Sequence, residues 1–145
     1  MTPLQFVKCM KYLCDCYLSD MDEDDIKIWY EYFDDISYAT LLQAIKEIVL
    51  ESKFFPNAPT LKKKCIEVNK KRIFGVINLM KEDGYFKKGT YGDLSPEQEL
   101  RNYDKTLMWL EKGIIPEFLK EDIKYYMNKY DKQIGNKNRR QIDHV

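Results

Sequence analysis

Histidine and arginine are nearly missing from this chain: one histidine, His144, in a polar stretch, and four arginines against twenty lysines. One histidine cannot supply the usual imidazole acid–base or nucleophile–base arrangements. Glycine is also scarce, and Gly84, Gly89 and Gly92 are spread through an aromatic loop with no Lys-Ser/Thr pair behind them, which excludes a phosphate-cradling loop. Long apolar runs are absent. Ile48-Val49-Leu50 is far too short to cross a bilayer, and the first residues lack the basic-then-apolar layout of a signal peptide, so no membrane association and a cytoplasmic location are expected.

The few cysteines exclude more chemistry. Cys9, Cys14 and Cys16 fall in one predicted helix and Cys65 in another, a distribution that suits reduced, buried thiols better than a disulfide framework. Cys14-x-Cys16 lacks zinc-ligand spacing. Acidic residues at Asp20, Asp22, Asp24 and Glu31 take positions 1, 3, 5 and 12 of a calcium loop. The sharp-turn position there is Asp25 instead of glycine and the apolar position is Lys27, so an acidic helix start is the better reading. No metal, no cofactor and no enzymatic activity are expected.

What the chain does contain is charge, in blocks. It has 145 residues, 33% charged and 44% hydrophobic, with no net charge, a balance that fits a globular domain with a sizeable core. Residues 1–50 carry four basic and ten acidic side chains, net −6, whereas residues 51–88 carry ten and four, net +6. Residues 89–130 come to −2 and residues 131–145 to +2. Such asymmetry serves different partners on different faces, or complementarity inside the fold.

The apolar spacing is helical almost throughout, and no strand pattern stands out. Thr2-Pro3-Leu4-Gln5 is a capping box, with Leu4, Val7, Cys14 and Leu18, flanked by Met10 and Leu13, as the inward face of a helix ending near Tyr17. A second helix starts near Asp22 with Ile26, Trp29, Tyr30 and Phe33 inward. Ser37 caps a third, running to about Lys53 with Leu41, Leu42, Ile45, Ile48 and Val49 inward. A fourth runs from about Ala58 to Asp83 through Leu61, Cys65, Val68, Val76 and Leu79, with Gly75 as a possible break and Gly84 as C-cap. Ser95-Pro96-Glu97-Gln98 is a second capping box, opening a helix with Leu100, Tyr103, Leu107 and Leu110 on its stripe and Gly113 at its end. Pro116 starts a sixth, with Leu119, Ile123, Tyr126 and Tyr130 on one face. The expected fold is all-α: a small bundle of five to six helices with a C-terminal antiparallel hairpin. Its expected parts are a bundle over 1–83, an aromatic loop plus hairpin over 84–131, and a flexible polar tail over 132–145.

Three features are candidate interaction surfaces. The junction Ser52-Lys53-Phe54-Phe55-Pro56-Asn57-Ala58-Pro59 places two phenylalanines between two helices, either as anchors for a partner or as a staple between the helices. On the fourth helix Lys62, Lys63, Lys64, Lys70, Lys71 and Arg72 form a basic stretch; with Phe74 it suits nucleic-acid backbone and base, an acidic protein patch, or a plain solvated face. Trp109 lies opposite the stripe of its helix, where it docks internally or anchors another protein. Tyr85 and Phe86 add two aromatics to the loop.

The residues also carry a resemblance. Phe6-Val7-x-x-Met10, Ile26-x-x-Trp29-Tyr30, the Leu42 to Ala44-Ile45 spacing, Ser52-Lys53-Phe54-Phe55-Pro56 leading through Pro59-Thr60-Leu61, and Phe74-Gly75-Val76-Ile77 to Gly84-Tyr85-Phe86 stand in order. Over about residues 4–86 the chain resembles the phage replicative helicase loader/inhibitor family. The resemblance implies a non-enzymatic DNA-replication accessory protein of a phage or prophage, acting in the bacterial host cytoplasm. It implies binding to the hexameric replicative helicase, which is held inactive and passed to an origin-bound initiator. In that family the C-terminal part is flexible and engages the helicase; here residues 95–130 depart from the pattern by reading as two well-capped helices. The alternatives are a small DNA-binding or transcription-regulating protein using the basic 62–72 helix, against which the neutral charge weighs, and a phage structural or host-takeover protein.

Overall fold

The helix starts are built from the caps that the sequence encodes. Thr2 Oγ1 accepts from the Gln5 N–H at 3.1 Å while Gln5 Oε1 accepts from the Thr2 N–H at 2.9 Å, which opens α1, Pro3–Tyr17. Asp22 accepts from the Asp25 N–H at 2.8 Å and opens α2, Glu23–Tyr32, whose acidic first turn faces the positive end of the helix dipole. The acidic run thus forms a helix cap. Ser37 opens α3, Tyr38–Glu51, Asn57 Oδ1 accepts from the Thr60 N–H at 2.9 Å at the start of α4, Ala58–Glu82, and Ser95 repeats the capping box before α5, Pro96–Lys112. The last helix is α6, Glu117–Asp143. Between α4 and α5 lie a 3₁₀ turn, Tyr85–Lys87, and two antiparallel strands, β1 (Lys88–Gly89) and β2 (Gly92–Asp93).

The structure, a computed structural model, describes the backbone of residues 1–143 and the side chains of residues 1–134. Helices account for 76% of it, so the all-α class holds, with strands too short for any alternation to register in the sequence. No described helix is long and apolar enough to cross a membrane.

The chain divides into two compact units, Met1–Asn69 and Lys70–Val145, each with its own core. The first packs Phe6, Met10 and Leu13 of α1, Phe33, Leu41 and Ile45, and Leu61 and Cys65 of α4. Phe6 organises it: its ring meets Tyr30 edge-on at 5.3 Å and lies 6.2 Å from Phe33. The second core packs Ile73, Val76, Ile77 and Met80 of α4 with Phe86, Leu110, Leu119, Ile123 and Tyr126. A bidentate pair between Arg72 and Asp131, at 3.1 and 2.7 Å, ties α4 to α6 within this unit.

Several expectations need correction. On α1, Leu4, Val7 and Leu18 point outward, and the buried face is Phe6, Cys9, Met10, Leu13 and Cys14. Leu100 of α5 is likewise exposed. Gly75 does not break α4. A side chain there would run into the ring of Tyr130, so glycine marks the close approach of α6 to α4. The sixth helix continues past Tyr130 because nothing beyond it forbids a helix: residues 131–143 contain no proline. Of the polar tail expected over 132–145, residues 144–145 and the side chains from 135 onward lie outside the described residues.

Candidate functional site

The two phenylalanines of the junction part ways. Ser52 Oγ accepts from the Phe54 N–H at 3.3 Å and donates to the Phe54 carbonyl at 3.0 Å, a local turn that throws Phe54 outward with 82% of its surface exposed. Phe55 turns inward, its ring against Tyr17 at 5.7 Å and Trp29 at 6.2 Å, and Pro56 is buried. Phe55 is therefore a staple.

Phe54 has neighbours that the sequence reading missed. The Tyr17 hydroxyl donates to the Ser52 carbonyl at 2.9 Å, which brings the C-terminal ends of α1 and α3 together. Leu18, 97% exposed, and Leu50, 88% exposed, thus fall at the same end of this unit as Phe54. Leu18 is also strained, with φ 51° and ψ 45° in the left-handed region where helices usually end in glycine. A leucine there costs about 1–2 kcal/mol and gains no burial in return. A non-glycine φ above zero after an otherwise apolar helix end was the only signal available, and sequence does not print φ.

The basic stretch of α4 is largely answered by acids inside each unit. In the first unit Lys62 donates to the Tyr32 carbonyl at 2.8 Å, lies 3.4 Å from Asp35 and sits 4.5 Å over the Tyr32 ring. Lys64 pairs with Glu51 at 2.6 Å, and that hydrogen bond raises its pKa. In the second unit Arg72 is held by Asp131, and Lys71 is also engaged. Lys63 and Lys70 are exposed and have no ionic partner among the described residues. Phe74 is 44% exposed. The clustered charge thus serves intramolecular complementarity at four of its six positions.

The remaining aromatics gather in the second unit. Phe86 is 2% exposed and belongs to its core, a correction of its reading as a surface anchor, because the 3₁₀ turn after Gly84 folds it under α5. Tyr85 is half-buried and donates to Asp122 at 2.6 Å; burial first, then that bond, raises its pKa. Trp109 is half-buried against the second core and meets Phe118 edge-on at 6.2 Å. Beside these rings opens a groove of about 640 Å³, whose walls include Tyr85, Trp109, Phe118 and Leu119 and whose charged members are Asp83, Lys88 and Lys105. Burial, then the neighbouring Asp83 carboxylate, pushes the Tyr126 hydroxyl on its wall up to about 12. Among the described residues no cluster of three or more His, Cys, Asp or Glu side chains is arranged to hold a metal ion.

Residues 1–62 match the family model for the N-terminal domain of the phage gene-39 protein. This is the phage helicase-binding, loader or inhibitor class that the sequence resembles. The match lies wholly inside the unit Met1–Asn69 and takes in Phe54, Phe55, Lys62 and the exposed Leu18 and Leu50. Phe74, Tyr85, Phe86 and Trp109 fall beyond it. Comparison with curated proteins and with solved structures gives no match.

Proposed function

With the N-terminal unit matching that phage helicase-binding domain, we propose that the protein is a non-enzymatic accessory factor of phage or prophage DNA replication that binds the hexameric replicative helicase of its bacterial host. The observation that carries this reading is the agreement between the matched residues, 1–62, and a unit with its own core, Met1–Asn69. A family match confined to a self-contained unit argues for a domain retained whole, with its surface as well as its core.

On that unit the helicase-contacting surface is the apolar end formed by Leu18, Leu50 and Phe54. Large apolar side chains left in water are the usual anchors of a protein interface, and acidic residues of the first fifty positions surround them, which gives the surface a charge that orients encounter. Occupying a helicase face holds the enzyme inactive; an origin-bound initiator with a complementary patch then displaces the factor and takes over the helicase. The test is co-migration of the purified chain with the hexameric helicase, followed by helicase unwinding and ATPase rates. Binding that lowers both rates until an initiator is added supports the sequence of inhibition and hand-over. Binding that leaves both unchanged would limit the role to recruitment.

A further inference from the structure

The groove of the second unit lies outside the matched residues, and its chemistry points to a ligand of its own. Its floor and walls are apolar, with Trp109, Phe118 and Leu119 among them, and Phe118 keeps 75% of its surface exposed at the rim. A phenylalanine left so exposed beside an open groove has no role in the core. The volume of about 640 Å³ falls within the range of clefts that take ligand side chains, roughly 300–1,000 Å³.

The charge on the groove is unbalanced in one direction. Of its three charged wall residues, Asp83 is paired with Lys129 at 3.4 Å. The carboxylate behind Tyr85, Asp122, accepts that tyrosine's hydroxyl. Lys88 and Lys105 are exposed and have no ionic partner among the described residues. The uncommitted charge of the site is therefore two ammonium groups beside an apolar slot. Arginine, which would grip phosphates bidentately, is absent from the wall. The ring contacts recorded for Trp109 and Tyr85 are edge-to-face, an arrangement that offers no pair of parallel faces between which a base could stack.

We propose that this groove binds an acidic peptide segment of a partner protein, one that inserts a large apolar side chain between Trp109, Phe118 and Leu119 while flanking carboxylates meet Lys88 and Lys105. The site does not depend on the helicase reading, because it uses none of the residues of the matched domain. Interfaces of this form place an apolar anchor at the centre and charge at the rim. The rim charges set orientation and salt dependence more than affinity.

The probe is a fluorescein-labelled peptide of glutamate and aspartate residues around a Leu-x-x-Phe pair, titrated with the full chain and followed by anisotropy. Saturable binding at micromolar protein is expected, weakening as salt rises. The double variant Lys88→Glu/Lys105→Glu, at exposed positions that leave folding intact by circular dichroism, should weaken it about tenfold or more. Phe118→Ala should weaken it similarly, and Lys63→Glu/Lys70→Glu should leave it unchanged. Absence of saturable binding, or binding indifferent to the Lys88/Lys105 and Phe118 variants, overturns the proposal. Tighter capture of a single-stranded oligonucleotide by the same residues would also overturn it. So would self-association of the chain, through its own Asp20–Asp25 run, that the Lys88→Glu/Lys105→Glu variant abolishes.

Discussion

Replacing Gly75 with alanine sets two opposed effects against each other at one atom. In the middle of α4, alanine is favoured over glycine by about 1 kcal/mol, since glycine loses more backbone entropy on entering a helix. The new methyl, however, would lie 2.6 Å from Tyr130 Cζ and 2.7 Å from Cδ2, and nearer still to Cε2. Carbon atoms pack at about 3.5–4.0 Å, so the ring has to retreat from its place in the second core. Overpacking of this kind costs about 1–3 kcal/mol. Subtracting the propensity gain leaves a net destabilisation of about 0–2 kcal/mol for Gly75→Ala. In a Tyr130→Ala background the clash is gone and only propensity remains, so the same substitution should stabilise by about 1 kcal/mol. The decisive quantity is the coupling between the two positions, about 1–3 kcal/mol, read from a double-mutant cycle. Each unit contains one tryptophan, Trp29 in the first and Trp109 in the second. Urea unfolding followed by Trp109 fluorescence in a Trp29→Phe background therefore reports the relevant unit, which matters because two cores need not unfold together. Equal effects of Gly75→Ala in both backgrounds would refute the packing of Tyr130 on Gly75.

Two further outcomes follow from the first unit. Leu18→Gly should raise its stability by about 1 kcal/mol, because it relieves a left-handed leucine and forfeits no buried surface; thermal unfolding that shifts downward instead would show that Leu18 is packed. The thiols should be inert except Cys16, the exposed one: burial pushes Cys9 up to about 11 and Cys65 up to about 12, so a thiol reagent at neutral pH should titrate one fast group, lost in Cys16→Ser. Both buried groups have folded pKa values raised above the unfolded one near 9. Their contribution to stability is therefore complete below about pH 9 and lost as pH climbs through 11 to 12; a urea midpoint flat across that interval would contradict their burial.

The parts of this fold that sequence makes legible are those fixed locally. Thr2 and Ser95 each sit three residues before a glutamine, and Gly84 and Gly113 follow apolar-periodic runs; caps of this kind need only neighbours in the chain. The face of α1 was not legible, because its apolar residues nearly encircle the helix. Leu4 and Val7 compete there with Phe6 and Leu13, and the choice is made by Tyr30 and Phe33, which lie far along the chain. Gly75 sends the same signal whether it breaks a helix or admits a ring. The junction was legible as a family marker, yet its division into an exposed Phe54 and a packed Phe55 depends on a turn held by Ser52. The groove was not legible at all, since Lys88, Lys105 and Phe118 come from three separate segments and none belongs to a motif.

The central claim is that the first unit brings this protein to a replicative helicase through Leu18, Leu50 and Phe54. The most direct measurement is size-exclusion chromatography with light scattering of the full chain mixed with the purified hexameric helicase of the host at micromolar concentrations. The account predicts a complex heavier than the hexamer alone, retained at moderate salt and weakened by Leu50→Ser/Phe54→Ser in a chain whose helical content is unchanged. Two separate peaks at the masses of the free proteins would contradict it.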